Sequence, residues 1–257
     1  MKDRLWELKQ AADGGGLELY IYGDVEGRTF DWENWRYVTS ENSAQHFREE
    51  LAKYPDAKRI DIYINSYGGD VFEGTAIYNQ LKRYQARKVV HVDGFACSIA
   101  SVIAMAGDEV IMPRNTLMMI HNMWMFVCGN AAELRKAADD LDVINTAGRQ
   151  AYLQKAGDKL PEDQLAKMMD AETWLTAERC VELGLADRLA DENADMSGAA
   201  AILQKVNASM EQRLQYQKVL AAQLRDMAAA PAPGATPNVG PQGGGSPEKN
   251  KVLGLFA

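Results

Sequence analysis

Residues 60–81 read IDIYINSYGGDVFEGTAIYNQL, and the fold class turns on them. The first five, IDIYI, are β-branched or aromatic except at Asp61, which makes them a strand candidate. The run stops at Asn65-Ser66-Tyr67-Gly68-Gly69, where small and turn-forming residues replace the apolar ones. From Gly74 the apolar spacing lengthens to three and four through Ile77, Leu81 and Tyr84, which predicts a helix over 74–84. A strand that meets a glycine pair and then a helix is half of a βαβ unit.

The same rhythm continues in both directions. Upstream, LELYIY (17–22) reads as a strand, and Ala44, Phe47, Leu51 and Tyr54 give 43–54 helical spacing. Downstream, KVVHV (88–92) is strand-like and leads into the apolar stretch GFACSIASVIAMAG (94–107). Residues 110–112 and 117–120 are two more strand candidates around Pro113-Arg114-Asn115. Helices follow over 131–153, over 161–169 with Pro161 at the first helical position, and over 176–183 with Gly184 as the residue past the end. The expectation is an α/β fold with a mostly parallel sheet.

The chain divides by composition into four parts. Residues 1–16 form a charged, then glycine-rich N-terminal segment, and 17–192 form one domain. Residues 193–228 form a helical extension with Leu203, Val206, Met210, Leu220, Leu224 and Met227 on a near-heptad stripe. Arg213 and Gln217 interrupt it, so the reading is a docked helix and not a sustained coiled coil. Residues 229–257 collect five of the eight prolines with Gly and Ala, as a flexible tail does, and end in the apolar residues Val252, Leu253, Leu255 and Phe256.

Charge and composition remove several function classes. A formal charge of −8 argues against nucleic acid as a partner, which calls for a basic stripe. Three cysteines (97, 128 and 180) and three histidines (46, 91 and 121) are too few and too scattered for a metal cage or a disulfide framework. A metal is therefore not expected, and the chemistry reached below calls for no organic cofactor. The apolar stretches 94–107 and 117–128 fall short of the ~20 residues of a membrane span. The opening residues lack the apolar core of a secretory signal, so the expected location is cytoplasmic, away from any membrane.

Three places can carry chemistry. Paired glycines at 68–69 let backbone N–H groups face a ligand without Cβ interference, as an oxyanion or phosphate site requires. Ser98 opens the buried stretch after strand 88–92, and its hydroxyl needs a neighbouring base to be a nucleophile; the plainer reading is a helix N-cap. Cys97 competes with it, although small buried cysteines usually only pack. His121 closes strand 117–120, whereas His46 lies on a polar helix face and His91 alternates within a strand. If one histidine is a general base, it is His121.

Taken in order, INSYGGDVFEGTAIYNQL, DGFACSIASVIAMAG, PRNTLMMIHN and ETWLTAERCVELGLAD resemble the ClpP family of serine peptidases, with the family's elements in the same order and at closely similar spacing across residues 17–192. The resemblance implies a ClpP/crotonase-like fold of repeated ββα units. It implies Ser98 as nucleophile, His121 as base, and the backbone N–H groups of Gly69 and Ile99 as the oxyanion hole. It also places Gly68, Asp70 and Val71 along an extended polypeptide substrate. The third triad position aligns with Glu172, and Asp170 two residues earlier is the alternative acid.

The family also implies a homo-oligomeric ring that encloses its active sites, with helix 131–153 projecting for subunit contact. Tyr67, Cys97 and Asn122-Met123 depart from the family pattern, and with the long tail they are similar to ClpP-like proteins of phage and prophage head gene clusters. That branch implies processing of capsid and scaffold proteins, in the host bacterial cytoplasm. The alternatives are an ATP-dependent degradative subunit working with a AAA+ unfoldase, a crotonase-like acyl-CoA enzyme, and a catalytically vestigial assembly scaffold.

Overall fold

The computed structural model describes residues 6–11, 16–31 and 35–192. Its strands are β1 (Trp6–Gln10), β2 (Leu17–Val25), β3 (Arg28–Asp31), β4 (Arg36–Thr39), β5 (Arg59–Gly69), β6 (Arg87–Cys97), β7 (Glu109–Met112), β8 (Leu117–Ile120), β9 (Thr173–Thr176) and β10 (Arg188–Leu189). Its helices are α1 (Ala44–Leu51), α2 (Val71–Arg83), α3 (Ile99–Ala104), α4 (Ala131–Ala156), α5 (Glu162–Asp170) and α6 (Ala177–Glu182).

The isoleucines of IDIYI explain why β5 lies at the centre. Ile60, Ile62 and Ile64 point to one face and are fully buried. Leu19 of β2 and Val90 of β6 flank Ile62 in parallel register and are equally buried. Each such side chain contributes roughly 1.5–3 kcal/mol by leaving water. The main path of the sheet runs β1-β2-β5-β6-β7-β10, with β1 antiparallel at one edge and the other pairs parallel.

Strand β6 divides its far edge between two partners. Val89–His91 pair with β7, whereas Phe95–Cys97 pair with β8, which continues antiparallel to β9. Helix α3 then enters the core with every one of its six residues buried, packed among α2, β5 and β6. Five of its six residues are apolar, and a helix with so little polar surface belongs in an interior.

The α/β class expected from the alternation is the one observed. Several boundaries differ for local reasons. Strands β5 and β6 run on to Gly69 and Cys97 because the motif residues keep pairing after register shifts, Gly68 with Asp24 and Ser66 with Ala96. Helix α2 starts at Val71, three residues early, because Asp70 caps it, accepting from the N–H groups of Phe72 (2.9 Å) and Glu73 (3.0 Å). Pro161 is the N-cap of α5 and not its first helical residue. Gly184, with φ 74°, does end α6 as expected. Strand β1, the β3–β4 hairpin, β9 and β10 were not legible as strands. The helical extension 193–228 and the tail 229–257 lie outside the described residues, as does most of the N-terminal segment. Among the described residues no helix is long and apolar enough to cross a membrane.

Candidate active site

The pairing of β6 with β8 builds the site. Cys97 stands opposite Met119, so the residue that follows each strand, Ser98 after β6 and His121 after β8, emerges at the same margin. The Ser98 N–H donates to the Met119 carbonyl (2.9 Å), and the Ser98 hydroxyl lies 2.7 Å from His121 Nε2. Ser98 occupies the N-cap position of α3 but makes no capping bond with its side chain. The hydroxyl that an ordinary N-cap would spend on the helix is directed to the imidazole instead.

Ser98 reaches this position only by adopting φ 53°, ψ −130°, a backbone conformation that costs an L-residue about 1–3 kcal/mol. The surroundings over-determine it. Its carbonyl accepts from Ser101 N–H (3.0 Å), Val102 N–H (3.4 Å) and the Ser101 hydroxyl (2.5 Å). The Ser101 oxygen is in turn 2.6 Å from the hydroxyl of Tyr152 in α4, a fully buried side chain. Since Ser101 spends its one proton on Ser98, Tyr152 is the donor of that pair.

The NSYGG segment braces the elbow from β5, each residue with a separate task. Asn65 Oδ1 accepts from Phe95 N–H of β6 (3.3 Å). The Ser66 hydroxyl donates to the Gly23 carbonyl and accepts from Gly68 N–H. Tyr67 packs its ring against Phe95, centroids 5.4 Å apart. Gly68, at φ 101°, lies so close to Ser98 that a Cβ there would sit 2.7 Å from the Ser98 Cβ and 3.0 Å from Ile99 N. Gly69, at φ 139°, is pressed against β2, where a Cβ would meet the Val25 carbonyl at 2.2 Å. Neither position admits a side chain. Ile99 N is the first amide of α3, one of the donors a helix start leaves unpaired, and it lies beside Gly68.

Electrostatics separate the two candidate nucleophiles and the two candidate acids. Cys97 is fully buried and its thiol is pushed up to about 12 by that burial, which leaves it a packing residue. Burial holds the His121 imidazole below its ordinary value, and the charge of Glu172 opposes that shift. Neither carboxylate is hydrogen-bonded to the imidazole in this structure. Glu172 acts on it through charge, from a left-handed backbone position at φ 49°. Asp170 Oδ1 instead accepts from Asn122 Nδ2 at 2.7 Å. Asp70 spends its side chain on capping α2, and Val71 is the first residue of that helix, partly buried against the core. His46 and His91 stand elsewhere: His91 stacks on Tyr63 and pairs with Asp61 at 3.2 Å. Among the described residues no group of three His, Cys, Asp or Glu side chains is placed to hold a metal ion.

Of the residues singled out in the sequence, the structure places Ser98, His121, Gly68 and Ile99 side by side, with Gly69 next in the chain and turned against Val25. Sequence reading missed the roles of Ser101, Tyr152, Asn122 and Asn145, the last of which accepts the Met123 N–H at 2.7 Å. Nothing in the local pattern marks these roles, because the pairs that define them (Ser101 with Tyr152, Asn122 with Asp170, Asn145 with Met123) join distant parts of the chain.

Comparison with known proteins gives one family. The model described as Clp protease matches residues 39–193. The ATP-dependent Clp protease proteolytic subunit 3 of Rhodococcus jostii is 30% identical over 145 residues, covering 55% of this chain and 71% of its own. The ATP-dependent Clp protease proteolytic subunit of Deinococcus radiodurans is 28% identical over 144 residues, covering 55% and 69%. That of Porphyromonas gingivalis is 30% identical over 139 residues, covering 53% and 61%.

Proposed function

We propose, for a chain that belongs to the Clp protease family and is a serine-type endopeptidase, that Ser98 is the nucleophile, His121 the general base and Glu172 the carboxylate that supports it. The observation that carries the assignment is the 2.7 Å contact between the Ser98 hydroxyl and His121 Nε2, held at a strained elbow. A neutral imidazole is the form that accepts a proton, and burial favours that form of His121.

In this reading His121 takes the hydroxyl proton as Ser98 Oγ bonds to the scissile carbonyl carbon. The resulting oxyanion is held by the N–H groups of Gly69 and Ile99, each worth on the order of 3 kcal/mol in the transition state. Collapse breaks the C–N bond, and the amine leaves with the proton from His121. Water then attacks the acyl-enzyme, losing a proton to His121 that returns to Ser98. Glu172 stabilises the imidazolium in both halves through charge. Gly68, Asp70 and Val71 line an extended polypeptide in this reading, Asp70 by contact and not by pairing, because its side chain caps α2, its N–H donates to the Val25 carbonyl and its own carbonyl accepts from Gly74 N–H.

The working assembly in this proposal is a homo-oligomeric ring. Trp124, Met125, Phe126 and Val127 form a consecutive exposed apolar run just before α4, and Leu134 and Val143 of α4 are exposed as well. Surfaces of that kind mark protein contacts.

Two finer readings share this chemistry. The one we favour is a phage or prophage head-maturation protease that cuts capsid and scaffold precursors, supported by Tyr67, Cys97, Asn122-Met123 and the Ala/Pro/Gly-rich tail. The names of the relatives, each an ATP-dependent Clp protease proteolytic subunit, support the other, a subunit fed by a AAA+ unfoldase. Cleavage of a co-expressed capsid precursor without ATP supports the first, and hydrolysis of folded substrates only with ATP and an unfoldase supports the second. The catalytic assignment itself is tested with a fluorophosphonate probe and peptide mapping. The expected adduct is on Ser98 and disappears in His121→Ala; an assembled wild-type protein that takes up no probe overturns it.

A further inference from the structure

The two residues after His121 are fastened from opposite sides. Asn122 N–H donates to the Met169 carbonyl at 3.3 Å, at the C-terminal end of α5. The same carbonyl accepts from Glu172 N–H at 3.1 Å. One backbone oxygen thus ties the strand end that carries the base to the turn that carries the acid. From α4, Asn145 Oδ1 takes the Met123 N–H at 2.7 Å.

The remaining fastening is the 2.7 Å bond from Asn122 Nδ2 to Asp170 Oδ1. Asn122 Oδ1 is buried and has no partner, so nothing on that side holds the amide. Its orientation is set by the carboxylate, because a flipped amide would place oxygen against oxygen. Asp170 is therefore committed to Asn122, not to the imidazole, while Glu172 is the acid whose charge His121 feels. We infer that Asp170 is a positioning residue for His121, acting through Asn122, and not the acid of the triad.

This inference rests on the proposed Ser98–His121–Glu172 chemistry, and it makes a distinction that chemistry alone does not. A positioning residue must accept a hydrogen bond, which Asn does as well as Asp. A triad acid must carry charge, which neither Asn nor Gln can.

The test compares Asp170→Asn, Asp170→Ala and Glu172→Gln in the assembled full-length protein, with Ser98→Ala as the blank. Asp170→Ala is expected to lower kcat about tenfold with KM within about twofold, as misplacement of a catalytic group does. Asp170→Asn recovers most of that loss with an unmoved pH profile. Glu172→Gln loses on the order of 10²-fold or more and shifts the acid limb of the profile. Asp170→Asn as impaired as Asp170→Ala, or Asp170→Ala equal to wild type, overturns the inference. A second readout is independent of turnover: the ring resonance of His121 in 13C-histidine-labelled protein. It is expected to broaden or split in Asp170→Ala and to remain single in Asp170→Asn, and an unchanged resonance in Asp170→Ala refutes the clamp. Absence of Ser98-dependent hydrolysis in wild type would defeat the catalytic reading by itself, and the resonance would still decide the clamp.

Discussion

Ser98 and His121 meet at 2.7 Å from two differently built parts of the molecule. The serine side is a strand–helix corner in the deepest core, where α3 is buried on all faces and the Ser98 carbonyl alone accepts three hydrogen bonds. The histidine side is a chain segment, 121–130, without regular secondary structure, whose middle is exposed apolar surface and whose start hangs on the side chains of Asn145 and Asp170. The difference follows from what each group needs. A nucleophile on a strained backbone keeps its geometry only if many contacts enforce it. A base needs one nitrogen aimed at one oxygen, and a loop pinned at a few points achieves that.

The largest expected effect removes the meeting point itself. Ser98→Ala should lower peptide hydrolysis on the order of a millionfold while the protein still assembles, measured by peptide turnover beside sedimentation. Hydrolysis that survives the substitution would mean the contact between the two regions is not the catalytic one. Next comes Glu172→Gln, read as a pH profile. Burial already lowers the His121 value and the Glu172 charge raises it, so removing that charge leaves burial unopposed. The acid limb of kcat/KM, below which His121 is protonated and inactive, should move to lower pH, while the plateau falls by about 10²–10⁴-fold because the imidazolium has lost its counter-charge. A limb that moves up, or stays, would place the effective acid elsewhere.

The two regions also differed in how much of them sequence disclosed. The serine side was legible because its causes are local: β-branched alternation for the strand, small residues for the turn, a glycine pair for the close approach to Ser98. His121 was legible as a strand end. The choice between Asp170 and Glu172 was less so: alignment favoured Glu172, but both lie near the same helix end, and the bond that engages Asp170 with Asn122 joins residues 48 apart. Ser101 and Tyr152 are 51 residues apart and nothing short-range announces their contact. Strands β9 and β10, of four and two residues, exist because β8 and β7 offer them edges and not because of their own propensity.

A matched pair of substitutions sharpens the contrast. Asn145→Ala leaves the Met123 N–H without its partner in a buried place, at a cost of about 1–3 kcal/mol, and removes one of the few pins of the histidine segment. Its kcat should fall about tenfold. Tyr152→Phe removes the donor to Ser101 at a cost of about 1 kcal/mol, yet Ser98 keeps its backbone bonds and the Ser101 hydroxyl. Its kcat should change by less than about threefold, because the corner is over-determined. Denaturant unfolding with kcat on the same preparations tests the pair. If Tyr152→Phe proves the more damaging to turnover at equal stability, the serine side is the fragile one and the contrast is reversed.

The smallest effect concerns Tyr67, which stands in the glycine turn that braces the corner. Its ring packs on the cluster of Phe95, Cys97 and Met119, while its hydroxyl is buried without a hydrogen-bond partner. Burial pushes the phenol up to about 12, so the group stays neutral and its cost is that of a desolvated hydroxyl, not of a charge. The ring and the hydroxyl therefore act in opposite directions on stability. Tyr67→Phe keeps the packing and discards the unsatisfied group, and should raise stability by about 1 kcal/mol, a rise of about 2–4 °C in Tm by calorimetry. Tyr67→Ala, which discards both, should lower it by about 3 kcal/mol or more through loss of the aromatic contacts. A Phe variant less stable than wild type would show that the hydroxyl is satisfied in solution, and that the turn beside Ser98 is fastened by one bond more than the structure contains.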